Sequence, residues 1–183
     1  GGAGNDSLVG GDGLDVANFS DAGAAFTVTL VNGAATVTAS GLGTDTLTGI
    51  EGITGGAYND TLIGDGNANK LAGGAGDDSL SGGDGADSLD GGDGADSLLG
   101  EAGDDTVVGS YGADTLHGGD GTDTLDYSWI ASDFPLNINI GAGTVTSGFM
   151  QSFDGFEHII GTQGEDTITG STPSAKSGRT IAG

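Results

Sequence analysis

Aspartates recur at nine-residue spacing through the middle of this 183-residue chain: Asp60, Asp78, Asp87, Asp96, Asp105, Asp114 and Asp123, with Asn69 in the same register. Each is the sixth residue of a segment that opens on glycine, as in GGAGDDSLS, GGDGADSLD and GGDGADSLL. Carboxylates at fixed spacing, beside glycines whose carbonyls no side chain shields, form an all-oxygen donor set of the kind calcium prefers. Magnesium demands stricter octahedral geometry and gives up water reluctantly. Zinc calls for His or Cys, and the chain has two His and no Cys.

Eight such nonapeptides run without a gap from Gly55 to Asp126, with Gly at position 1 and Leu or Val at position 8 throughout. Two more copies open the chain and place Asp6 and Asp15 at position 6, and a last one at 161–169 places Asp166 there. The segments 46–54 and 152–160 read as decayed copies that keep Gly49, Glu51 and Ile53, and Gly155, Glu157 and Ile159, at positions 4, 6 and 8.

Those aspartates must be positioned by turns and short strands. Glycine at positions 1, 2 and 4 costs a helix about 1 kcal/mol each, so GGxGxD reads as a turn. The residues that follow suit a short strand with position 8 on its inner face. A turn plus a strand makes half a coil, and two nonapeptides make a coil of eighteen residues. Position 6 then stacks along two edges, Asp60, Asp78, Asp96 and Asp114 on one and Asn69, Asp87, Asp105 and Asp123 on the other. Stacked about 4.8 Å apart, such carboxylates repel. The coil without metal is therefore expected to be unfolded, and cations between the loops to turn binding energy into folding energy.

Charge narrows the partners. Asp and Glu number 27 against 3 Lys and Arg, a net charge of −24. Such a chain repels phosphates, which disfavours nucleic acid and anionic membrane surfaces. No apolar run reaches the length of a membrane span, and with no cysteine a disulfide framework is excluded. The chain opens at Gly1 inside a repeat, without methionine, and reads as a fragment of something longer.

Two β-rich inserts interrupt the repeats. Phe26, Val28 and Leu30 alternate with Thr27 and Thr29, Asn32-Gly33 signals a hairpin, and Thr36-Val37-Thr38 returns. Leu136, Ile138 and Ile140 alternate with Asn137 and Asn139. The inserts look like one block copied twice: Phe19, Phe26, Val28, Leu30 and Val37 match Tyr127, Phe134, Leu136, Ile138 and Val145, 108 residues on. They are expected to widen or cap the repeat stack. A sharper reading makes a binding surface of Tyr127, Trp129, Phe134, Phe149 and Met150. The organisation expected is 1–18 N-terminal repeats, 19–54 insert ending in a decayed repeat, 55–126 central repeats, 127–160 second insert, and 161–183 last repeat and irregular tail. The tail holds Pro173, Lys176 and Arg179.

The GGxGxDxUx repeats resemble the RTX (repeats-in-toxin) family, the hemolysin-type calcium-binding nonapeptides. The resemblance implies an all-β fold, a parallel β-roll or β-solenoid with two β-rich inserts. It implies Ca²⁺ held between loops one coil apart by position-6 side chains and main-chain carbonyls of both loops. The metal residues carried over are Asp6, Asp15, Asp60, Asn69, Asp78, Asp87, Asp96, Asp105, Asp114, Asp123 and Asp166, with about six ions or more. Departures weaken particular sites: neutral Asn69, the longer Glu51 and Glu157, Tyr58 at a fourth glycine, and Asp65, Glu101 and Ser110 at second glycines. Asp84, Asp93 and Asp120, at position 3, are expected to face solvent.

The resemblance further implies a secreted, extracellular or cell-surface bacterial protein, exported by a type I system and folding on calcium after export. Alternatives are a surface-layer or adhesin rod that self-assembles with calcium, or a carbohydrate-binding module; a second copy or a surface glycan is then the partner. His117 and His158 read as surface residues without a nucleophile beside them, and nothing in the chain reads as an enzyme.

Overall fold

A computed structural model describes residues 2–39, 41–131, 134–146, 149–170 and 180–182, the last three as backbone. The tail residues Pro173, Lys176 and Arg179 lie outside the described residues.

The N-terminal strands are β1 (Ser7–Val9), β2 (Val16–Asn18), β3 (Thr27–Thr29), β4 (Ala34–Ala39), β5 (Gly43–Thr48) and β6 (Gly52–Thr54). The central repeats form β7 (Thr61–Ile63), β8 (Lys70–Ala75), β9 (Ser79–Asp84), β10 (Ser88–Asp93), β11 (Ser97–Ala102), β12 (Thr106–Val108), β13 (Thr115–Asp120) and β14 (Thr124–Asp126). Then follow β15 (Asn137–Asn139), β16 (Thr144–Thr146), β17 (Met150–Asp154), β18 (His158–Ile160), β19 (Thr167–Thr169) and β20 (Thr180–Ala182).

Each central strand pairs in parallel with the strand one coil on. Leu71 of β8 faces Leu89 of β10, and Leu80 of β9 faces Leu98 of β11. Alternate nonapeptides thus feed two sheets, an eight-stranded one ordered β2-β6-β8-β10-β12-β14-β18-β20 and a nine-stranded one ordered β19-β15-β16-β17-β13-β11-β9-β7-β3. This is the parallel β-roll expected from the repeats. The position-8 side chains Leu62, Leu71, Leu80, Leu89, Leu98, Val107, Leu116 and Leu125 fill the space between the sheets and are fully buried. Burying each contributes about 1.5–3 kcal/mol.

The glycine-rich stretch is less wholly turn than its composition suggests. In β8 to β11 and β13 the strand continues through positions 1 to 3, and Gly74 pairs with Gly92 in the ladder. The turn proper is confined to positions 4 to 6.

The inserts neither widen nor cap the roll; each is threaded into the stack. β17 lies parallel on β13, β16 antiparallel on β17, β15 antiparallel on β16, and β19 parallel on β15. The first insert repeats the order: β5 parallel on β1, β4 antiparallel on β5, β3 beside β4, and β7 parallel on β3. An antiparallel hairpin is thereby sandwiched between two parallel coils. Asn32 (φ 52°) and Gly33 (φ 70°) both occupy the left-handed region, and Val31 and Ala34 exchange backbone bonds across them, as the hairpin signal required.

The duplication needs one correction. The N–H of Phe26 donates to Asp60 Oδ1, and its counterpart bond runs from Leu136 N–H to Asp166 Oδ1. Likewise Leu30 N–H reaches Ile63 O where Ile140 N–H reaches Thr169 O. Phe26 therefore corresponds to Leu136, not Phe134, and Leu30 to Ile140, not Ile138. Phe134 is 42% exposed whereas Phe26 is buried. A slip of two residues leaves inward and outward faces unchanged, so strand alternation could not reveal it.

Candidate metal centres

The position-6 residues form two ladders along the edges of the roll. On one edge Asp60 N–H donates to Asp78 Oδ1 (2.6 Å), Asp78 N–H to Asp96 Oδ1 (2.8 Å) and Asp96 N–H to Asp114 Oδ1 (3.0 Å). On the other, Asn69 N–H donates to Asp87 Oδ1, Asp87 N–H to Asp105 Oδ1 and Asp105 N–H to Asp123 Oδ1, at 2.7 to 2.9 Å. The two edges hold the residues that an eighteen-residue coil assigns to them.

The flanking copies join through the inserts. Asp15 N–H donates to Glu51 Oε2 and Asp123 N–H to Glu157 Oε2, so the longer side chains of the decayed repeats keep the ladder running. Asp6 N–H donates to Asp45 Oδ1. Asp45 is buried and was not recognisable as a ladder residue, because it lies outside any nonapeptide. A second, exposed set was also missed: Asp77, Asp104 and Asn59, at position 5, accept from Ala95, Thr122 and Asp77 N–H one coil on. Asp or Asn at that position in several repeats was the signal available.

From Asp60 to Asp123 each position-6 carboxylate gives Oδ1 to a backbone donor. Oδ2 of Asp15, Asp78, Asp87, Asp96, Asp105 and Asp123 is buried without a hydrogen-bond partner. Buried acceptors are rarely left so, since a lost partner costs about 1–3 kcal/mol. Carbonyl oxygens stand close by. A Cβ on Gly82 would lie 2.3 Å from Asp87 Oδ2 and 2.8 Å from Gly100 O; on Gly100 it would lie 2.3 Å from Asp105 Oδ2 and 2.4 Å from Gly118 O. At Gly82 and Gly100 position 1 is glycine because carboxylate and carbonyl oxygens fill the space a Cβ would take.

Electrostatics without a cation are unfavourable. Burial pushes Asp96 up to about 7, with the neighbouring carboxylates of Asp114, Asp78 and Asp77 adding to the rise and the Asp78 N–H bond opposing it. Burial also raises Asp78 and Asp87 to about 6, and raises Asp105, Asp114 and Asp123. Among the described residues no three Asp, Glu or His side chains converge on one point. A cation here must draw on one or two carboxylates and on main-chain carbonyls. Negative, unpartnered, oxygen-only pockets fit calcium and exclude thiolate-seeking metals.

The departures have structural roles. Asn69 Oδ1 accepts from Asp65 N–H and its Nδ2 donates to Glu51 O, so the amide satisfies itself without charge. Asp65 holds the first insert to the roll by accepting from Gly33 N–H. Asp84, Asp93 and Asp120 are exposed, as expected. Asp60 Oδ2 accepts from Gly56 N–H, and Asp166 Oδ2 from Thr162 N–H. His117 pairs with Asp154 on the outer face.

The aromatic surface is only partly the one expected. Tyr127 belongs to the core, fully buried, with its hydroxyl donating to Gln151 Oε1. Tyr111 instead centres the exposed cluster, packing edge-on against Trp129, Phe134 and Phe149 with centroids 5.1 to 6.0 Å apart.

A family model described as the RTX calcium-binding nonapeptide repeat (4 copies) matches residues 1–18, 48–80, 63–98, 72–107, 99–129 and 152–172. No curated protein matches the chain. The matched stretches cover most of the sequence and every ladder residue from Asp60 to Asp123. With the roll, its paired edges and its partnerless carboxylate oxygens, they place this chain in the RTX family of calcium-binding nonapeptide repeat proteins.

Proposed function

We propose that this chain is a calcium-triggered folding module of a secreted or cell-surface bacterial protein, with Asp15, Asp78, Asp87, Asp96, Asp105 and Asp123 as the principal metal residues. Asp6, Asp60, Asn69 and Asp166 complete the same loops, and Asp114 ends the first-edge ladder, where its Oδ1 holds Asp96 N–H. The observation that carries the reading is the row of buried Oδ2 atoms without partners, repeated gap after gap. Where free calcium is scarce, the acidic chain stays unfolded and suits export through a type I system. Outside the cell, calcium near the millimolar range fits the affinity of extracellular modules, which runs to about 10⁻⁴–10⁻³ M. The module does its work by folding and by stiffening, not by catalysis.

Circular dichroism during a calcium titration tests this. A cooperative gain of β-signal, reversed by EGTA and not produced by magnesium at the same concentration, is expected. An ordered roll in excess EGTA at pH 8, where the ladder carboxylates are ionised, would overturn the proposal.

A second reading is favoured by the cleft of about 490 Å³ lined by Tyr111, Trp129, Asp90, Asp93 and Asp126. An indole and a phenol beside carboxylates suit a neutral or amino sugar, and glycan-array binding in calcium tests it.

A further inference from the structure

The first-edge ladder ends at Asp114, where no further nonapeptide follows and β17 of the insert takes the next place in the stack. Here the pattern of unpartnered oxygens stops. Asp114 Oδ2 receives the side-chain amide of Gln151 at 2.5 Å and the hydroxyl of Ser110 at 3.3 Å. The same Gln151 Nε2 donates to the main-chain carbonyl of Ser110 at 2.6 Å. Its two N–H groups thus reach one carboxylate oxygen and one carbonyl of the glycine-rich turn, the two classes of oxygen left facing the other gaps.

We propose that the Gln151 amide stands in for a cation at the end of this ladder, closing the loop 109–114 without metal. The inference rests on the reading that cations occupy the other gaps.

The amide is oriented, not adventitious. Tyr127 O–H donates to Gln151 Oε1 at 2.5 Å, which turns Nε2 toward Asp114 and Ser110. An amide offers two donors and a carbonyl acceptor, and all are engaged. Gln151, Tyr127, Asp114 and Ser110 are each at most 3% exposed. Gly109 makes room for the phenol, since a Cβ there would lie 1.8 Å from Tyr127 Cε1.

The duplicated block supplies an internal control. Ser152 N–H donates to Asp114 O as Thr46 N–H donates to Asp6 O, so Gln151 corresponds to Asp45. Tyr127 N–H reaches Ile160 O as Phe19 N–H reaches Thr54 O, so Tyr127 corresponds to Phe19. The two positions differ together: phenol with amide in the second block, phenyl with carboxylate in the first. Asn69 offers a smaller instance, its amide reaching Glu51 O where its neighbours carry carboxylates.

The test is a count of bound calcium by native mass spectrometry, on the wild-type chain and on the double variant Tyr127→Phe/Gln151→Asp, which gives this junction the pair found in the first block. The double variant is expected to bind one more ion per chain than wild type. An unchanged count in a folded variant overturns the inference, while a wild type that binds no calcium overturns the function it rests on. Should the variant fail to fold, the wild type decides. In the calcium-loaded protein the Gln151 side-chain amide protons exchange slowly with solvent if the amide closes the junction. Fast exchange overturns the inference.

Discussion

Asp87 and Asp105 stand eighteen residues and one coil apart, joined by a bond of 2.9 Å from Asp87 N–H to Asp105 Oδ1. The bond fixes which oxygen of Asp105 serves the backbone and leaves Oδ2 buried without a partner. One side chain thus has two tasks, setting the coil-to-coil register and offering charge to the gap. The tasks separate on mutation.

Asp105→Asn retains an oxygen able to accept from Asp87 N–H but removes the charge; Asp105→Ala removes both. The alanine variant is expected to raise the calcium midpoint of folding by on the order of tenfold, the equivalent of about 1.4 kcal/mol for a lost charged partner. The asparagine variant is expected to fall between it and wild type. Calcium titrations followed by circular dichroism give both midpoints. Equal midpoints for all three proteins would remove Asp105 from the binding set.

The raised acids predict a proton dependence of opposite sign to that of a salt-bridged fold. In the coil without metal, Asp96 titrates near 7 and Asp78 and Asp87 near 6, against an ordinary 3.8, chiefly through burial. The folded state therefore holds protons more tightly than the unfolded chain. Its stability in EGTA rises as pH falls from about 7 toward about 4, and is lost as pH rises through the folded values. More β-signal is expected at pH 5 than at pH 8 in EGTA. In calcium the same competition raises the midpoint as pH falls from 8 to 5. A flat response in both titrations would show that these carboxylates do not carry the repulsion.

Much of this was legible in the chain, because a nonapeptide repeat fixes both the coil length and the side chain at each edge. Asp60 to Asp123 could be sorted onto two edges from spacing alone, and the inward Leu and Val column with them. The inserts could not be placed, since alternation gives the faces of β3 and β15 but not which strand lies beside them. Asp45 and Gln151 escaped for the same reason: they enter the ladders through pairing of β5 with β1 and β17 with β13, not through the repeat. Sequence alone leaves Tyr127 among the candidate surface aromatics, because its hydroxyl partner lies twenty-four residues away.

Position-1 glycines are held by contact and not by backbone angle, which a pair of alanine substitutions separates. Gly100 has no positive φ, yet its Cβ would fall 2.3 Å from Asp105 Oδ2 and 2.4 Å from Gly118 O. Gly11 has open space where a Cβ would point. Gly100→Ala is expected to raise the calcium midpoint at least as far as Asp105→Ala. Gly11→Ala is expected to stay within about 0.5 kcal/mol of wild type. Similar midpoints for the two variants would show that the space beside Asp105 is not needed for ligands.

Glu101 is the one central second-position residue that pays conformationally for its side chain. It sits at φ 79°, where Gly74, Gly83, Gly92 and Gly119 take φ of 93° to 122° at the same position. A non-glycine residue there costs roughly 1–2 kcal/mol, of which the greater freedom of unfolded glycine returns about 0.4–1 kcal/mol to the other side. Its carboxylate accepts from Ser81 Oγ on the exposed surface, a bond water replaces readily. It also lies close enough to Asp87 to raise that acid further. Glu101→Gly is therefore expected to stabilise the calcium-loaded roll by about 0.5–1 kcal/mol, read from urea unfolding at saturating calcium. In EGTA the same change relieves repulsion at Asp87, so the acid-induced gain of structure should begin at higher pH. A destabilised variant would mean that the Ser81 contact outweighs the backbone strain.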